Sequence, residues 1–321
     1  MELPAPLRAA VDRTLEGVPL ADLQRATRRL TERYRAETRD GTMHLDDELA
    51  MRAYLAARLP ATYAAVRSAM QVVAAACPDF SPRALIDFGA GPGTALFAAA
   101  DCWPGLGRAA LVEASPAARH IGQALTREAP LPPAEWVAAD ITAATAVPQP
   151  AADLATLCYV LDELPPAALP GLAGRLWQAT GGVLLIVEPG TPGGWRRIGD
   201  LRAALLSLGA YVVAPCPHAL PCPVVPPDWC HFSRRVARSR MHRLAKSGDV
   251  PWEDEKFSYL AVSRTPPPAR EARILAPPRT AKGHVTLKLC TPEGKLAQRT
   301  VSKRDGESYR AARRLDWGDS L

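Results

Sequence analysis

"ALIDFGAGPGT", Ala84 to Thr94, is the stretch that decides the fold. A short apolar run broken by Asp87 ends in three alternating glycines, Gly89, Gly91 and Gly93, and a run of small residues follows. Glycine adopts backbone angles closed to other residues and lets N–H groups come close to a ligand. The stretch therefore reads as a buried strand turning sharply into a helix, with the turn free to face a small molecule. Dinucleotide enzymes and purely structural turns share this feature, so the flanking sequence has to decide between them.

Downstream, short apolar runs alternate with helical patterns, as in an α/β domain with a parallel sheet. "AALVEAS" reads as a second strand ending in Glu113, 26 residues after Asp87, and "AEWVAAD" as a third ending in Asp140. "ADLATLCYVLDELP" supplies a fourth strand and its exit loop, and "GGVLLIVEPG" a fifth. After the helical "WRRIGDLRAALLSLG", "AYVVAPC" is a sixth strand and "KFSYLAVSR" a seventh. Upstream, residues 1 to about 76 have helical spacing, interrupted at "RDGTMHLDD" (Arg39–Asp47) and again at Pro60, which should kink or divide a helix. A Pro-rich connector, "RTPPPAREARILAPPR", leads to a tail read as two strands joined by a turn at Pro292-Glu293-Gly294, with Cys290 ending the first. The expected organisation is a helical lobe (1–76), a Rossmann-like domain (77–265) with a cysteine-rich insertion (214–250), and a basic β-rich extension (266–321).

With 321 residues, 48% hydrophobic and 22% charged, the chain has the composition of a soluble globular protein. No apolar run approaches the roughly 20 residues that span a bilayer, and the opening residues lack a cleavable signal layout. A cytoplasmic protein with no membrane partner is expected. Net charge is +6, concentrated in two runs. "HFSRRVARSRMHRLAK" carries Arg234, Arg235, Arg238, Arg240, Arg243 and Lys246 with no acid, and the tail adds Lys303, Arg304, Arg313 and Arg314 among others. One-sided basic runs with interleaved Phe232, Tyr309 and Trp317 match a nucleic-acid footprint, while a solvated helix face with a flexible tail is the plainer alternative.

Two strand-end acids complete the glycine turn. Glu113 is placed to accept the two hydroxyls of a ribose, and Asp140 to accept from an adenine amino group or to cap a helix. On "DFGAGPGT", Glu113 and Asp140 the chain resembles the class I S-adenosylmethionine-dependent methyltransferases, with an NAD-type Rossmann fold as the rival. The resemblance implies a seven-stranded Rossmann-like sheet. It also implies that Asp87, Gly89, Gly91, Gly93, Glu113 and Asp140 hold S-adenosylmethionine. The exit loop "CYVLDELP" contains no Asn/Asp-Pro-Pro-aromatic or Pro-Cys arrangement. Asp162 and Glu163 are its only candidate catalytic groups and equally suit a helix cap, and Cys158 reads as core.

"APCPHALPCPVVPPDWCHF", Ala214 to Phe232, packs Cys216, Cys222 and Cys230 into nineteen residues with six prolines. Such a run forms an irregular loop, and three thiols on a loop read as ligands awaiting a fourth. The spacing lacks the paired knuckles usual for zinc. An iron–sulfur cluster, zinc with His218 or His231 as a ligand, and no metal all stay open.

Four stretches, "RLPATYAA", "DFGAGPGT", "APCPH…PCP…WCHF" and "SKRDGESYRAARRLDWGD", together resemble the ribosomal small-subunit methyltransferase-like family, whose mitochondrial members assist subunit assembly; this sequence looks like a bacterial member. That resemblance implies a [4Fe–4S] cluster on Cys216, Cys222, Cys230 and Cys290, leaving Cys77, Cys102 and Cys158 structural. It implies the small ribosomal subunit or its RNA precursor as partner, and no DNA. An rRNA methyltransferase, a non-catalytic assembly factor that keeps the fold, and a small-molecule or protein methyltransferase are the three functional expectations.

Overall fold

The computed structural model describes residues 1–36, 44–143, 150–268 and 271–321. It opens with helices α1 (Ala5–Leu15), α2 (Leu20–Ala36), α3 (Glu48–Ala57) and α4 (Leu59–Ala76). Pro60 divides α3 from α4: Arg58 is the cap of both, and Pro60 sits in the first turn of α4, where no intrahelical N–H is missed. Of the expected break at 39–47, residues 39–43 lie outside the described residues. Asp47 ends the break by accepting from the Ala50 N–H at 2.7 Å, capping α3.

The α/β part follows as β1 (Ala84–Phe88), α5 (Thr94–Cys102), β2 (Arg108–Glu113), α6 (Pro116–Arg127), β3 (Ala134–Ala138) and β4 (Ala152–Cys158). Next come α7 (Leu169–Gln178), β5 (Thr180–Pro189), α8 (Pro192–Ser207), β6 (Tyr211–Ala214), β7 (Phe232–Ala237), α9 (Arg240–Lys246) and β8 (Trp252–Ser263). The sheet runs β3-β2-β1-β4-β5-β8-β6, with β7 also paired to β8. β1 to β5 are parallel, and β8 is antiparallel to its three neighbours. This is the expected Rossmann-like α/β fold, its order reversing between β1 and β4.

The sheet holds an eighth strand beyond the seven expected, and it arises from the first basic run. β8 is twelve residues long, and β5 pairs only its Phe257–Ser263 half. The other half would leave a row of unpaired backbone groups, and β7 satisfies it from Phe232↔Phe257 to Ala237↔Trp252. The basic run is thus a strand followed by the short helix α9, rather than one helical face.

Alternate residues of β1 feed two cores. Leu85 packs with Leu7, Leu23 and Tyr63 of the N-terminal helices, so those helices cover one face of the sheet. Ile86 packs with Leu176, Leu201 and Leu205 of α7 and α8 on the other. The tail adds β9 (Arg273–Ile274), β10 (Arg279–Ala281), β11 (His284–Cys290), β12 (Leu296–Ser302) and α10 (Glu307–Ala312). Its sheet has the order β10-β11-β12, with β9 on β11, around Ile274, Val285, Leu287 and Tyr309. The β11–β12 turn falls where expected, with Gly294 at φ 72°, and Cys290 ends β11. Within the connector, residues 269 and 270 lie outside the described residues. Among the described residues no helix is long and apolar enough to cross a membrane.

Candidate functional site

A cavity of about 480 Å³ opens at the carboxyl ends of β1, β2 and β4, beside the point where strand order reverses. Asp87, Gly89, Gly91, Glu113 and Asp140 all line it. Gly91, at φ 53°, donates its N–H to Glu113 Oε2 at 2.7 Å, and the Ser115 N–H donates to Oε1 at 2.7 Å. Each carboxylate oxygen can accept about two hydrogen bonds, so Glu113 is oriented by the backbone and keeps acceptor capacity for a ligand hydroxyl. Burial raises its pKa, and the two N–H groups counter that. Burial likewise pushes Asp87 up to about 7, against a hydrogen bond donated by Thr156 Oγ1 at 2.6 Å. Asp140 uses Oδ1 to accept from the Thr142 N–H (2.7 Å) and hydroxyl (2.8 Å), closing a local turn at the cavity wall.

The glycines divide by role. A Cβ at Gly89 (φ 66°) would lie 2.5 Å from Val160 Cγ2, so the turn backbone presses on the exit loop of β4. Gly93 does not line the cavity; it caps α5 at φ 87° and faces Leu111, Thr126 and Trp136.

Asp162 and Glu163 also separate. Asp162 is 1% exposed and lies off the cavity wall, whereas Glu163 lines it. His44 holds Glu163 through Nδ1 to Oε1 at 3.2 Å and through its backbone N–H to Oε2 at 3.4 Å. Burial, then the charge of Asp162, pushes Glu163 up to about 8. Cys158, read as core, lines the cavity too, with a thiol raised well above its usual value by burial. Sequence reasoning missed Tyr34, Tyr54 and Tyr159 on the wall. Tyr159 has φ 59°, rare for a bulky residue, and donates its hydroxyl to Glu255 at 2.9 Å, which also pairs with Arg58 at 3.2 Å. For Tyr159 the available signal was an aromatic beside the charged Asp162 and Glu163 in the exit loop, but its backbone angle is invisible in sequence.

Cys216, Cys222, Cys230 and Cys290 line a second, smaller cavity of about 50 Å³, with His218, Arg202 and Arg273, and Cys222 stands at its exposed side. Residues 60 or more apart in sequence therefore converge. Burial and the neighbouring Cys216, Cys222 and Cys290 raise the Cys230 thiol well above its usual value. His218 Nε2 lies 3.3 Å from Cys290 Sγ while Nδ1 is 3.1 Å from the Leu220 carbonyl. Among the described residues no three or more His, Cys, Asp or Glu side chains are drawn together as a formed metal site. In number, chemistry and convergence the four thiols fit a thiolate-bound centre; its ligand geometry is not preformed. His231 turns elsewhere, stacked 4.9 Å from Trp229.

The basic surface differs from its sequence reading. Arg235 makes a two-pronged pair with Asp254 at 2.8 Å, and Arg238 and Lys246 both engage Glu253, at 2.9 and 2.7 Å. These cations are answered by acids of β8, the next strand. Arg234 donates to the Ser68 hydroxyl at 2.9 Å. Arg240, Arg243, Lys303, Arg304, Arg313 and Arg314 are exposed, and among the described residues none has a carboxylate partner. Two of the interleaved aromatics are buried, Phe232 against Phe257 and Tyr259 and Tyr309 in the tail core, while half-buried Trp317 meets His231 edge-on at 4.9 Å.

The chain is similar to several known proteins. It is 31% identical over 288 residues to the human mitochondrial ribosome assembly protein METTL17, covering 84% of this chain and 61% of that one. It is 27% identical over 190 residues to the Rsm22-cox11 tandem protein 2 of Schizosaccharomyces pombe, covering 45% and 25%. The chain thus spans less than two thirds of either relative. Among solved structures, an O-methyltransferase family protein from Burkholderia thailandensis aligns with TM-score 0.45 and 15% identity, over 77% of this chain and 72% of that one. Magnesium protoporphyrin IX methyltransferase from Synechocystis, with bound S-adenosylmethionine, aligns with TM-score 0.43 and 12% identity, over 73% and 91%. Residues 48–321, from the start of α3 through the tail, match the family described as mitochondrial small ribosomal subunit Rsm22, and the chain belongs to that family.

Proposed function

We propose that this chain binds S-adenosylmethionine in the switch-point cavity and acts on, or binds, small-subunit ribosomal RNA during assembly of the subunit. The observation that carries the cofactor half is the Gly91–Glu113–Ser115 arrangement, with Asp87 and Asp140 on the same wall. It offers an oriented acid for ribose hydroxyls, a second for an adenine amino group and a flexible turn for the amino-acid end. No lysine is needed, since the ligand has no phosphate. The RNA half is supported by the exposed cations of α9 and the tail, and by family membership together with the assembly role in the human relative's name.

Cys216, Cys222, Cys230 and Cys290 would hold a [4Fe–4S] cluster, which when bound ties the insertion loop to the end of β11. A zinc centre is the second reading. His218 favours it, because an imidazole anchored through Nδ1 to a carbonyl, with Nε2 turned toward thiols, has the orientation of a metal ligand. On the catalytic side, Glu163 is the carboxylate of the exit loop that reaches the cavity. A non-catalytic assembly factor is favoured by the same residue, which His44 already engages at both oxygens.

The test is to titrate the full chain with S-adenosylmethionine by calorimetry, then to assay methyl transfer to small-subunit precursor RNA. The expectation is stoichiometric binding, abolished by Gly91→Arg. Folded wild type with no binding overturns the cofactor reading. Binding without transfer to any subunit RNA, with assembly supported, leaves the assembly-factor reading.

A further inference from the structure

Two arginines share the cavity of the four cysteines, and both are buried: Arg202 on α8 is 8% exposed and Arg273 on β9 is 9% exposed. Elsewhere the protein pairs its enclosed guanidinium groups with acids, as in Arg197 with Glu188 at 2.9 Å and Arg58 with Glu255. Arg202 and Arg273 make no such pair among the described residues. Arg202 Nη2 donates to the carbonyls of His218 (2.9 Å) and Leu220 (2.8 Å), and a further contact reaches the Cys216 thiol. Arg273 donates through Nε to the Pro215 carbonyl (3.0 Å) and through Nη1 to that of Gly318 (2.6 Å). Arg202 Nε is buried with no hydrogen-bond partner among the described residues.

Carbonyl dipoles solvate a guanidinium but do not neutralise it, and arginine does not shed its proton in proteins. Two buried cations in a cavity whose lining holds four thiols, His218, Ser258, Tyr259 and apolar groups but no carboxylate would be costly, unless something there is negative. With His218 in place of one thiolate a zinc centre would carry one minus, whereas a 2+ core bound by all four thiolates, zinc or four-iron cluster, has a net charge of two minus. The two guanidinium charges match it.

We infer that Arg202 and Arg273 are the counter-cations of the four-cysteine centre. The inference rests on the reading that those cysteines bind a metal or cluster. Each arginine combines two jobs: its bonds to carbonyls fix the backbone of the cysteine loop, and its charge faces the cavity. The pair comes from opposite sides, Arg202 from helix α8 beside the Rossmann-like sheet and Arg273 from the tail, so charge balance requires the tail to be docked. A filled centre is neutral; an emptied one leaves two buried cations repelling each other.

The experiment uses the full chain purified anaerobically, wild type beside Arg202→Gln, Arg273→Gln, Arg202→Lys and Arg273→Lys. Iron, sulfide and zinc per chain are measured, then the rate of metal loss to EDTA, then thermal midpoints before and after stripping. Glutamine keeps an N–H donor for the carbonyls and loses the charge; lysine keeps the charge and loses the fork. Counter-cations require the Gln variants to lose metal about tenfold faster or more, since one side of a buried charge pair is gone, with the Lys variants close to wild type. After stripping, the Gln variants should melt no lower than wild type, because an uncompensated charge has been removed. Metal loss at the wild-type rate in the Gln variants, or equal destabilisation of loaded and stripped protein, overturns the inference and leaves the arginines as backbone clamps. Should a Gln variant not fold, the Lys variants decide: metal loss about tenfold faster with the charge retained overturns it equally. Folded wild type without metal or sulfide overturns the metal reading itself, and this inference with it.

Discussion

The N–H of Gly91 and the carboxylate of Glu113 meet at 2.7 Å, so the turn that leaves β1 is tied to the acid that ends β2. One carboxylate thereby shapes the turn and presents itself to the cavity. Glu113→Ala should abolish detectable S-adenosylmethionine binding while costing about 1–3 kcal/mol of stability, since two buried N–H groups lose their acceptor. Glu113→Gln keeps one acceptor oxygen and should weaken binding by roughly 1–2 kcal/mol, about a tenfold loss. Calorimetry and thermal melts on the pair check this; unchanged affinity in Glu113→Ala would remove Glu113 from the site.

Gly89 and Gly91 both have positive φ but face different surroundings. At Gly89 an added methyl meets Val160 Cγ2 at 2.5 Å, and at Gly91 it meets open cavity. Gly91→Ala should therefore cost only the left-handed backbone penalty of about 1 kcal/mol. Gly89→Ala adds overpacking and should cost about 2–4 kcal/mol. Denaturant midpoints of the two variants compare them directly, and equal losses would refute the assigned contact.

Those glycines and acids were legible in sequence because each ends a strand, and a parallel sheet collects the ends of its strands along one edge. The cysteine set was legible as residue type and count, and folding brings all four around one cavity. β7 was not legible: its two consecutive arginines break any alternation, and its anchors Phe232 and Val236 are four residues apart, which looks helical. What calls for a strand there is the length of β8. The cavity wall contributed by Tyr34, Leu45 and Tyr54 comes from the helical lobe folding over the strand ends, a tertiary event that no local pattern records. Arg202 and Arg273 are lone arginines in unremarkable stretches, and only burial reveals them.

Glu163, pushed up to about 8, makes stability pH-dependent. In the folded chain it holds its proton far above the ordinary carboxylate value near 4.3, so between those two values the folded state binds more protons than the unfolded. The contribution is fully present below about pH 4.3 and is lost as pH rises through 8. Glu163→Gln fixes the neutral form. It should match wild type near pH 3.5 and exceed it at pH 8.5 by roughly 1–3 kcal/mol, a value held down because the side chain keeps 23% of its surface. Melting curves at the two pH values test the sign, and a variant less stable at pH 8.5 would contradict it.

Asp87, pushed up to about 7, makes the same argument for the ligand. S-Adenosylmethionine carries a sulfonium charge that S-adenosylhomocysteine lacks. A cation beside Asp87 and Glu113 favours their ionised forms, so affinity for the sulfonium ligand should rise by about threefold to tenfold between pH 6 and 8, more than for the neutral thioether. Parallel titrations of both ligands decide it, and identical pH profiles would place the sulfonium away from these acids.

The exposed cations should differ in what they give to RNA binding. Arg235 is held by Asp254 at both prongs and lies 5.5 Å from the Trp252 ring, so moving to a phosphate would mean abandoning an existing pair. Arg240 and Arg243 on α9 have no such pair among the described residues. Each phosphate contact contributes roughly 0.7–0.9 to the slope of log affinity against log salt. The double variant Arg240→Ala/Arg243→Ala should therefore flatten the slope by about 1.4–1.8, whereas Arg235→Ala should leave it nearly unchanged. Filter binding of a small-subunit RNA fragment from 50 to 300 mM salt measures both. If the two variants flatten the slope equally, the whole basic face acts as a diffuse field and the ion pairs of β7 and β8 do not partition it. If wild type binds no RNA even at the lowest salt, the basic surface is a solvated face and the RNA partner has to be given up.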